Sequence, residues 1–199
     1  MKKKKILVLS AHPLSPSGVA GQTKYFIEAL LKTGRYEFIC LGGAVKHKDY
    51  TPIQVEGWGH DWRIIPVDNY GNHEIIRSIL QKEKPDVLWF MTDPRFYGWL
   101  WEIENEVRSS IPMVYYHVWD NFPVPMFNKQ WYDSTDAVVS ISKVTEEIVK
   151  TASPDSFAGR IAHAVNSSIF HKFTDKEKKD QVANIRRQII ESSKNYQNP

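Results

Sequence analysis

The feature that most constrains the fold is the alternation of short apolar runs with amphipathic segments. The runs are apolar at consecutive positions, which is typical of strands buried on both faces of a sheet. They cover residues 5–10, 36–42, 62–66, 86–92, 112–118, 136–141 and 159–163. Segments with helical spacing of apolar residues separate them, over 18–33, 72–83, 95–108, 125–133 and 143–151, and Ser142 is expected to cap the last of these. This order predicts βαβ units, and hence an α/β fold with one doubly wound, mostly parallel, Rossmann-like sheet in a single domain.

Two stretches depart from this pattern. The connection 43–61 is long for a βαβ unit, and long connections in such folds are usually functional or mobile. Residues 174–193 are highly charged but carry an apolar stripe, which predicts an amphipathic helix that docks on another surface. We therefore expect a Rossmann-like domain over 1–173. Residues 174–199 are expected to form an amphipathic helix and a linker toward a C-terminal domain that the chain does not contain.

Composition argues against several classes of protein, among them nucleic-acid-binding, membrane-spanning and disulfide-bonded proteins. The chain has 199 residues, of which 42% are hydrophobic, so it is long enough to bury one core. Its net charge is +3, and beyond Lys2–Lys5 basic residues alternate with acidic ones, so no nucleic-acid-binding stripe is predicted. The apolar run Ile6–Leu9 is too short for a signal peptide or a transmembrane segment. The chain has a single cysteine, Cys40, so it cannot form an internal disulfide, and we therefore expect a cytoplasmic protein. Cys40 itself is expected to be a buried core residue and not a nucleophile.

Polar residues follow the predicted strands at the point where each strand ends. The carboxyl ends of parallel strands meet along one rim of the sheet, where open α/β folds bind ligands. The candidate cleft residues on this rim are Asp93, Arg95, His117, Trp119, Asp120, Asn121, Ser142, Lys143 and Asn166. A lone histidine at a strand end is more often a core residue than a catalytic one. The polar cluster expected around His117 favours a functional role for it.

Aromatic residues near these strand ends are candidates for stacking on the face of a sugar ring. They are Trp119, Phe122, Trp99 and Trp101. For Trp99 and Trp101, plain packing in the core is the favoured interpretation.

The connection after the first strand is rich in small residues. It contains Gly18, Val19, Ala20 and Gly21, at the start of the first predicted helix. Small residues let a ligand approach the backbone, and a helix N-terminus favours an anionic group such as phosphate. The alternative is that Gly18 and Gly21 only permit close packing of helix on sheet. The sequence leaves both interpretations open.

Three segments in order resemble a known family: MVYYHVWDNFPVP, then YDSTDAVVSISKVTEEIVK, then IAHAVNSSIF. Together they are similar to the N-terminal half of family 4 retaining glycosyltransferases of the GT-B fold. The resemblance covers residues 3–173. In the third segment Ala162 and Ala164 replace the Pro and Gly usual in the family, and the family's adjacent glycines correspond here to the separated Gly18 and Gly21.

The resemblance implies transfer of a sugar from a nucleotide-sugar to a carbohydrate or other hydroxyl-bearing acceptor, with no metal and no further cofactor. It implies that the glycine loop lies near the donor phosphates and that His117 approaches the donor sugar. The family's other catalytic groups lie in a second Rossmann-like domain and include two glutamates eight positions apart. No two glutamates of this chain have that spacing. By itself the chain is expected to bind acceptor weakly and not to transfer sugar.

Three other classes of protein share features with this sequence. The opening KILVLSAHP also resembles zinc-dependent sugar N-deacetylases, but Leu14-Ser15-Pro16 stands where those enzymes carry the metal-binding carboxylates. A dinucleotide-dependent oxidoreductase is disfavoured because the GxGxxG fingerprint is absent. A stand-alone nucleotide- or sugar-binding Rossmann module without catalysis stays open as the alternative to the transferase.

Overall fold

The computed structural model describes residues 2–119, 121–163, 165–172 and 175–195. They belong to two units, 1–163 and 164–199, each of which is described by itself. The strands are β1 (Lys4–Ala11), β2 (Tyr36–Gly43), β3 (Ile53–Gln54), β4 (Trp62–Pro66), β5 (Val87–Thr92), β6 (Met113–His117), β7 (Ala137–Ser140) and β8 (Phe157–Arg160). The helices are α1 (Gly18–Leu31), α2 (His73–Glu83), α3 (Gly98–Trp101), α4 (Glu104–Arg108), α5 (Lys129–Asp133), α6 (Lys143–Ala152) and α7 (Lys176–Asn195).

The first unit is built on one eight-stranded sheet with the order β3-β4-β2-β1-β5-β6-β7-β8. The pairs β1–β2, β1–β5, β2–β4, β5–β6, β6–β7 and β7–β8 are parallel, and only β3 runs antiparallel to its neighbour. The chain moves from β1 outward to β2 and β4, then crosses back to β5 and continues outward on the other side. The predicted α/β, doubly wound, mostly parallel fold is confirmed.

Apolar residues cover both faces of the sheet, as the continuous apolar runs predict. One face packs against α1 through Ile27 and Leu31. The other packs against the later helices, with Ile76 of α2 and Ile148 of α6 completely buried. Because side chains alternate along a strand, each buried strand contributes to both clusters. Cys40 is buried as predicted, and burial raises the pKa of its thiol to about 12.

The predicted helix over 95–108 is wrong as a single element. A 3-10 turn at Pro94–Tyr97, α3 and α4 replace it. Tyr97 is fixed in the core, where its hydroxyl proton is shared between the carbonyl oxygens of Leu9 and Met91, at 2.9 and 2.7 Å from the hydroxyl oxygen. Ile103, with φ −120° and ψ 19°, leaves the helical range and separates α3 from α4. Backbone anchoring of this kind leaves no periodic signal in a sequence.

The connection after β2 and the start of α6 show two further local features of the first unit. The long connection after β2 contains β3, which pairs with β4 and was not predicted. Ser142 caps α6 as expected: its Oγ accepts a hydrogen bond from the Thr145 backbone N–H at 3.1 Å, and the Thr145 hydroxyl oxygen accepts one from the Ser142 N–H at 2.9 Å. This reciprocal pair is a capping box, which fixes where the helix begins.

The second unit contains α7, which agrees with the predicted amphipathic helix to within two residues at each end. Three side chains of its apolar stripe, Ile185, Ile189 and Ile190, are each more than half exposed. That the stripe docks on another surface stays a prediction. Within the part of the chain that the structure describes, no helix combines the length and the apolar character needed to cross a bilayer.

Candidate functional site

The strand order has one topological switch point, at the carboxyl ends of β1 and β5. Connections from β1 and from β5 leave in opposite directions, so the loops after these two neighbouring strands diverge. In open α/β sheets this topological switch point is where ligands bind. Here it lies between His12, directly after β1, and Asp93, directly after β5.

Aromatic contacts join the loops that follow β4, β5 and β6. The ring of Tyr70 stacks on that of Phe96 with centroids 5.0 Å apart. The Arg95 guanidinium lies 5.3 Å from the centroid of the Trp119 ring, which in turn contacts the ring of Phe127 at 5.8 Å. The structure thus brings Arg95 and Trp119 together at the rim, as the sequence predicts.

Several rings at this rim are exposed. Phe96, Phe122 and Phe127 have 54%, 62% and 59% of their surface accessible, and Met126 has 54%. Phe96 and Phe127 take part in the aromatic contacts of the rim, and contiguous exposed apolar patches mark interaction sites. Trp99 and Trp101 instead pack against the core, and the Trp101 Nε1–H donates to the Pro94 carbonyl at 2.9 Å. The packing interpretation of those two tryptophans is therefore confirmed.

Asp93 has a local partner. Its Oδ1 accepts hydrogen bonds from the backbone N–H and the Nε–H of Arg95, both at 2.9 Å. The carboxylate thereby caps the 3-10 turn that follows β5 and holds the guanidinium against Trp119. At the switch point, the negative charge of the Asp93 carboxylate is therefore largely neutralised by the Arg95 guanidinium, and both side chains are held in place.

Thr92, the last residue of β5, has a strained backbone. Its φ is +123°, a conformation that β-branched residues rarely adopt. The side chain is buried, and the carbonyl accepts a hydrogen bond from the Tyr115 hydroxyl at 2.7 Å. Strain of this kind persists only where surrounding contacts enforce it, and it is concentrated at functional sites.

His117 ends β6 and is completely buried. Its Nε2 lies 2.8 Å from the Tyr132 hydroxyl, and the rings of Tyr115 and Tyr132 both meet it edge-to-face. Burial lowers the pKa of His117 to about 3, against a smaller opposing effect of the Asp93 charge. The imidazole is therefore neutral at physiological pH, so it can exchange hydrogen bonds but cannot act as a general acid there.

Two residues that the sequence analysis did not single out complete the surroundings of His117. Tyr132 bonds its ring, and the side chain of Asn128 donates from Nδ2 to the Tyr132 hydroxyl at 3.1 Å. Both are completely buried. Their spacing of four residues within the predicted helix near 125–133 places them on one face, which is the signal that could have found them.

The glycine-bearing segment lies at the start of α1. Gly18 is its first residue, Gly21 is in its first turn, and the Ser17 Oγ accepts a hydrogen bond from the Ala20 N–H at 3.1 Å. A Cβ added at Gly18 or Gly21 would meet no atom within 4 Å. The packing interpretation of these glycines is therefore wrong, since the space beside both is open. That the segment receives a ligand stays a prediction.

The remaining candidate residues are distributed unevenly. Ser142 is occupied as the cap of α6, and Lys143 is exposed beside a shallow groove of about 530 Å³ that includes Glu146 and Arg160. Asn121 is exposed in the loop after β6. Asn166 belongs to the second unit, where its Oδ1 accepts a hydrogen bond from the Ser168 N–H at 3.0 Å. Asp120 lies outside the described residues.

On the β2 side of the switch point, two imidazoles lie close together. The rings of His12 and His47 are 5.8 Å apart, and the His47 Nε2 contacts the Gly42 carbonyl at 2.8 Å. Burial lowers the pKa of His12, and the neighbouring His47 lowers it further. Among the described residues, no three side chains of His, Cys, Asp or Glu are grouped so that they could hold a metal ion.

Comparison with known protein families finds none that matches the chain, and comparison with curated protein sequences finds no significant match.

Proposed function

We propose that this chain is the acceptor-side domain of a retaining, metal-independent GT-B glycosyltransferase, which transfers a sugar from a nucleotide-sugar to a hydroxyl-bearing acceptor. The observation that carries the proposal is the composition of the rim. Phe96 and Phe122 are exposed on the loops that follow β5 and β6, and the neutral, hydrogen-bonding His117 is the last residue of β6. Aromatic faces with a few oriented polar groups are the chemistry that carbohydrates require.

The charge at the rim supports the same proposal. The guanidinium of Arg95 is paired with the carboxylate of Asp93, so the charge of this residue at the switch point is compensated. Transfer with retention needs stabilisation of a sugar that develops positive charge and of a departing diphosphate. The open backbone at the N-terminus of α1 is suited to the diphosphate, because helix N-termini favour anions.

His117 fits a role in orienting a sugar better than a role in moving protons. Its low pKa excludes the charged form at neutral pH, whereas a neutral imidazole forms hydrogen bonds with sugar hydroxyls. In this proposal a second Rossmann-like domain supplies the groups that bind the donor diphosphate and the paired glutamates.

The test is an assay for sugar transfer with the protein expressed from the complete reading frame that encodes this chain. Nucleotide-sugars carrying glucose, galactose, mannose and N-acetylglucosamine are incubated with simple glycoside acceptors, and the product's anomeric configuration is determined. Transfer with retention supports the proposal. Binding of a sugar or nucleotide without any transfer would favour the stand-alone binding module instead.

A further inference from the structure

Three completely buried side chains form a chain of hydrogen bonds below the rim. The Asn128 Nδ2 lies 3.1 Å from the Tyr132 hydroxyl oxygen, and that oxygen lies 2.8 Å from the His117 Nε2. The chain ends at the Nδ1 of His117, a buried atom that has no hydrogen-bond partner. The direction of these bonds decides what His117 can offer to a ligand.

Which atom donates in each of these hydrogen bonds follows from the protons that each group carries. An amide nitrogen only donates, so the Tyr132 oxygen accepts from Asn128. The hydroxyl has one proton of its own, and the Nε2 of His117 is the acceptor within reach. If Nε2 carried the proton instead, the tyrosine proton and the Nδ1 lone pair would both be buried without a partner, whereas the Nδ1–H tautomer leaves only the Nδ1–H unpaired. Nε2 therefore accepts, and the single proton of the neutral ring resides on Nδ1.

The surroundings keep this ring neutral. The groups that face it are the phenols of Tyr115 and Tyr132 and, at longer range, the carboxylate of Asp93. Neither phenol carries charge at neutral pH, because burial raises the pKa of each. The charge of Asp93 is largely compensated by Arg95. Burial therefore disfavours the protonated form of His117, and no nearby charge offsets this effect to any large extent.

Other buried polar atoms near the ends of β6 and β7 also have no protein partner. They are the Trp119 Nε1, the Asn128 Oδ1 and the Ser140 Oγ. Ser140 is the direct neighbour of His117 in the parallel pairing of β6 and β7, so the two side chains lie on the same face of the sheet. Buried polar atoms of native proteins are rarely left unpaired, so each of these atoms is suited to pair with an oxygen of a ligand or of water.

We propose that Asn128 and Tyr132 are positioning residues that hold His117 as its Nδ1–H tautomer, so that this N–H is donated to a hydroxyl oxygen of a bound sugar. The sugar as the source of that oxygen rests on the proposed function, whereas the tautomer does not. Because Nδ1 is buried, the oxygen reaches it only when neighbouring side chains move. His117 then donates a hydrogen bond to the sugar oxygen without transferring its proton.

The experiment is nitrogen-15 NMR of the histidine rings in the 199-residue chain, with the His117 signals assigned by their loss in His117→Gln. At pH 7 we expect the Nδ1–H pattern, unchanged down to pH 5. Tyr132→Phe is expected to transfer a large part of the population to Nε2–H. Tyr115→Phe is the matched control, because Tyr115 contacts the same ring at 5.4 Å but its hydroxyl bonds the Thr92 carbonyl.

The Nε2–H pattern in the unmodified chain would overturn the proposal, and that measurement needs no variant to fold. An equal tautomer change in both tyrosine variants would also overturn it, since packing and not the hydroxyl would then set the tautomer. Titration with methyl glucosides and methyl mannosides tests the ligand: a shifted Nδ1 proton supports the sugar contact, and no shift at saturation rejects it. A failed transfer assay leaves the tautomer result unaffected, so the two proposals fail separately.

Discussion

The Tyr115 hydroxyl donates a 2.7 Å hydrogen bond to the carbonyl of Thr92, the residue that carries the backbone strain at the end of β5. Tyr115 is completely buried and stacks on Phe90 with ring centroids 4.7 Å apart. A buried, hydrogen-bonded ring is thus one of the contacts that hold the strained peptide in place. The strained residue immediately precedes Asp93 at the switch point, so the strain lies where the proposed ligand site begins.

Replacing Thr92 tests whether this strain is real. Thr92→Gly and Thr92→Ala both remove the branched side chain, but only glycine adopts φ +123° freely. We expect Thr92→Gly to have the higher free energy of unfolding, by about 1 kcal/mol, although glycine is ordinarily the less stable residue in a strand by about 0.5–1 kcal/mol. Urea denaturation of both variants measures the difference. An alanine variant as stable as the glycine variant would mean that the backbone is relaxed there.

Gly21→Ala separates folding from binding at the N-terminus of α1. The added Cβ meets no atom within 4 Å, and alanine is the better helix former, so stability is expected to rise by up to about 1 kcal/mol. Binding of nucleotide-sugar by the protein from the complete reading frame is expected to weaken, because the methyl group occupies the open space beside the backbone.

Gly43→Ala is the contrasting control. Its Cβ would come within 2.2 Å of the Asn69 carbonyl oxygen, so this variant is expected to lose stability strongly. Unchanged binding by a stabilised Gly21→Ala would remove the glycine segment from the proposed site.

The buried imidazole of His117 predicts a pH dependence of stability. Its pKa is about 3 when folded and near 6.5 when unfolded, so the unfolded state binds more protons in between and folding weakens as the pH falls below 6.5. Between pH 7 and pH 5 the unmodified chain is expected to lose about 2 kcal/mol more unfolding free energy than His117→Gln.

The comparison with His117→Gln is needed because burial also lowers the pKa of His12 and His163. Those two groups titrate in the same direction and cancel in the difference between the proteins. Denaturation at several pH values provides the measurement. Parallel curves for the two proteins would show that His117 titrates normally.

Much of the fold could be predicted because parallel, doubly covered strands leave a strong local signal. Strand 62–66 was predicted to the residue, and the cap of α6 at Ser142 was recognised from its residue type. The broken helix after Asp93 could not be predicted, because its course depends on the Tyr97 hydroxyl bonding carbonyls of two strands. Contacts between residues distant in sequence have no local pattern.

The placement of the ends of β5 and β6 on one rim could be predicted, whereas the surroundings of their last residues could not. Strand ends alone place His117 and Asp93 on one rim, as the parallel pairing of β5 and β6 requires. The burial of His117 depends on Tyr132, fifteen residues later, folding back over its ring. The positive φ of Thr92 has no signal in its residue type, which disfavours that conformation.

The most direct test of the proposed transferase is the turnover of His117→Ala in the protein from the complete reading frame, beside His60→Ala as a control at an exposed histidine. Circular dichroism confirms that both variants are folded. We predict sugar transfer with retained configuration by the unmodified protein and by His60→Ala, and turnover lower by on the order of 100-fold for His117→Ala. Equal turnover in all three, or no transfer from any nucleotide-sugar by the unmodified protein, would contradict the account.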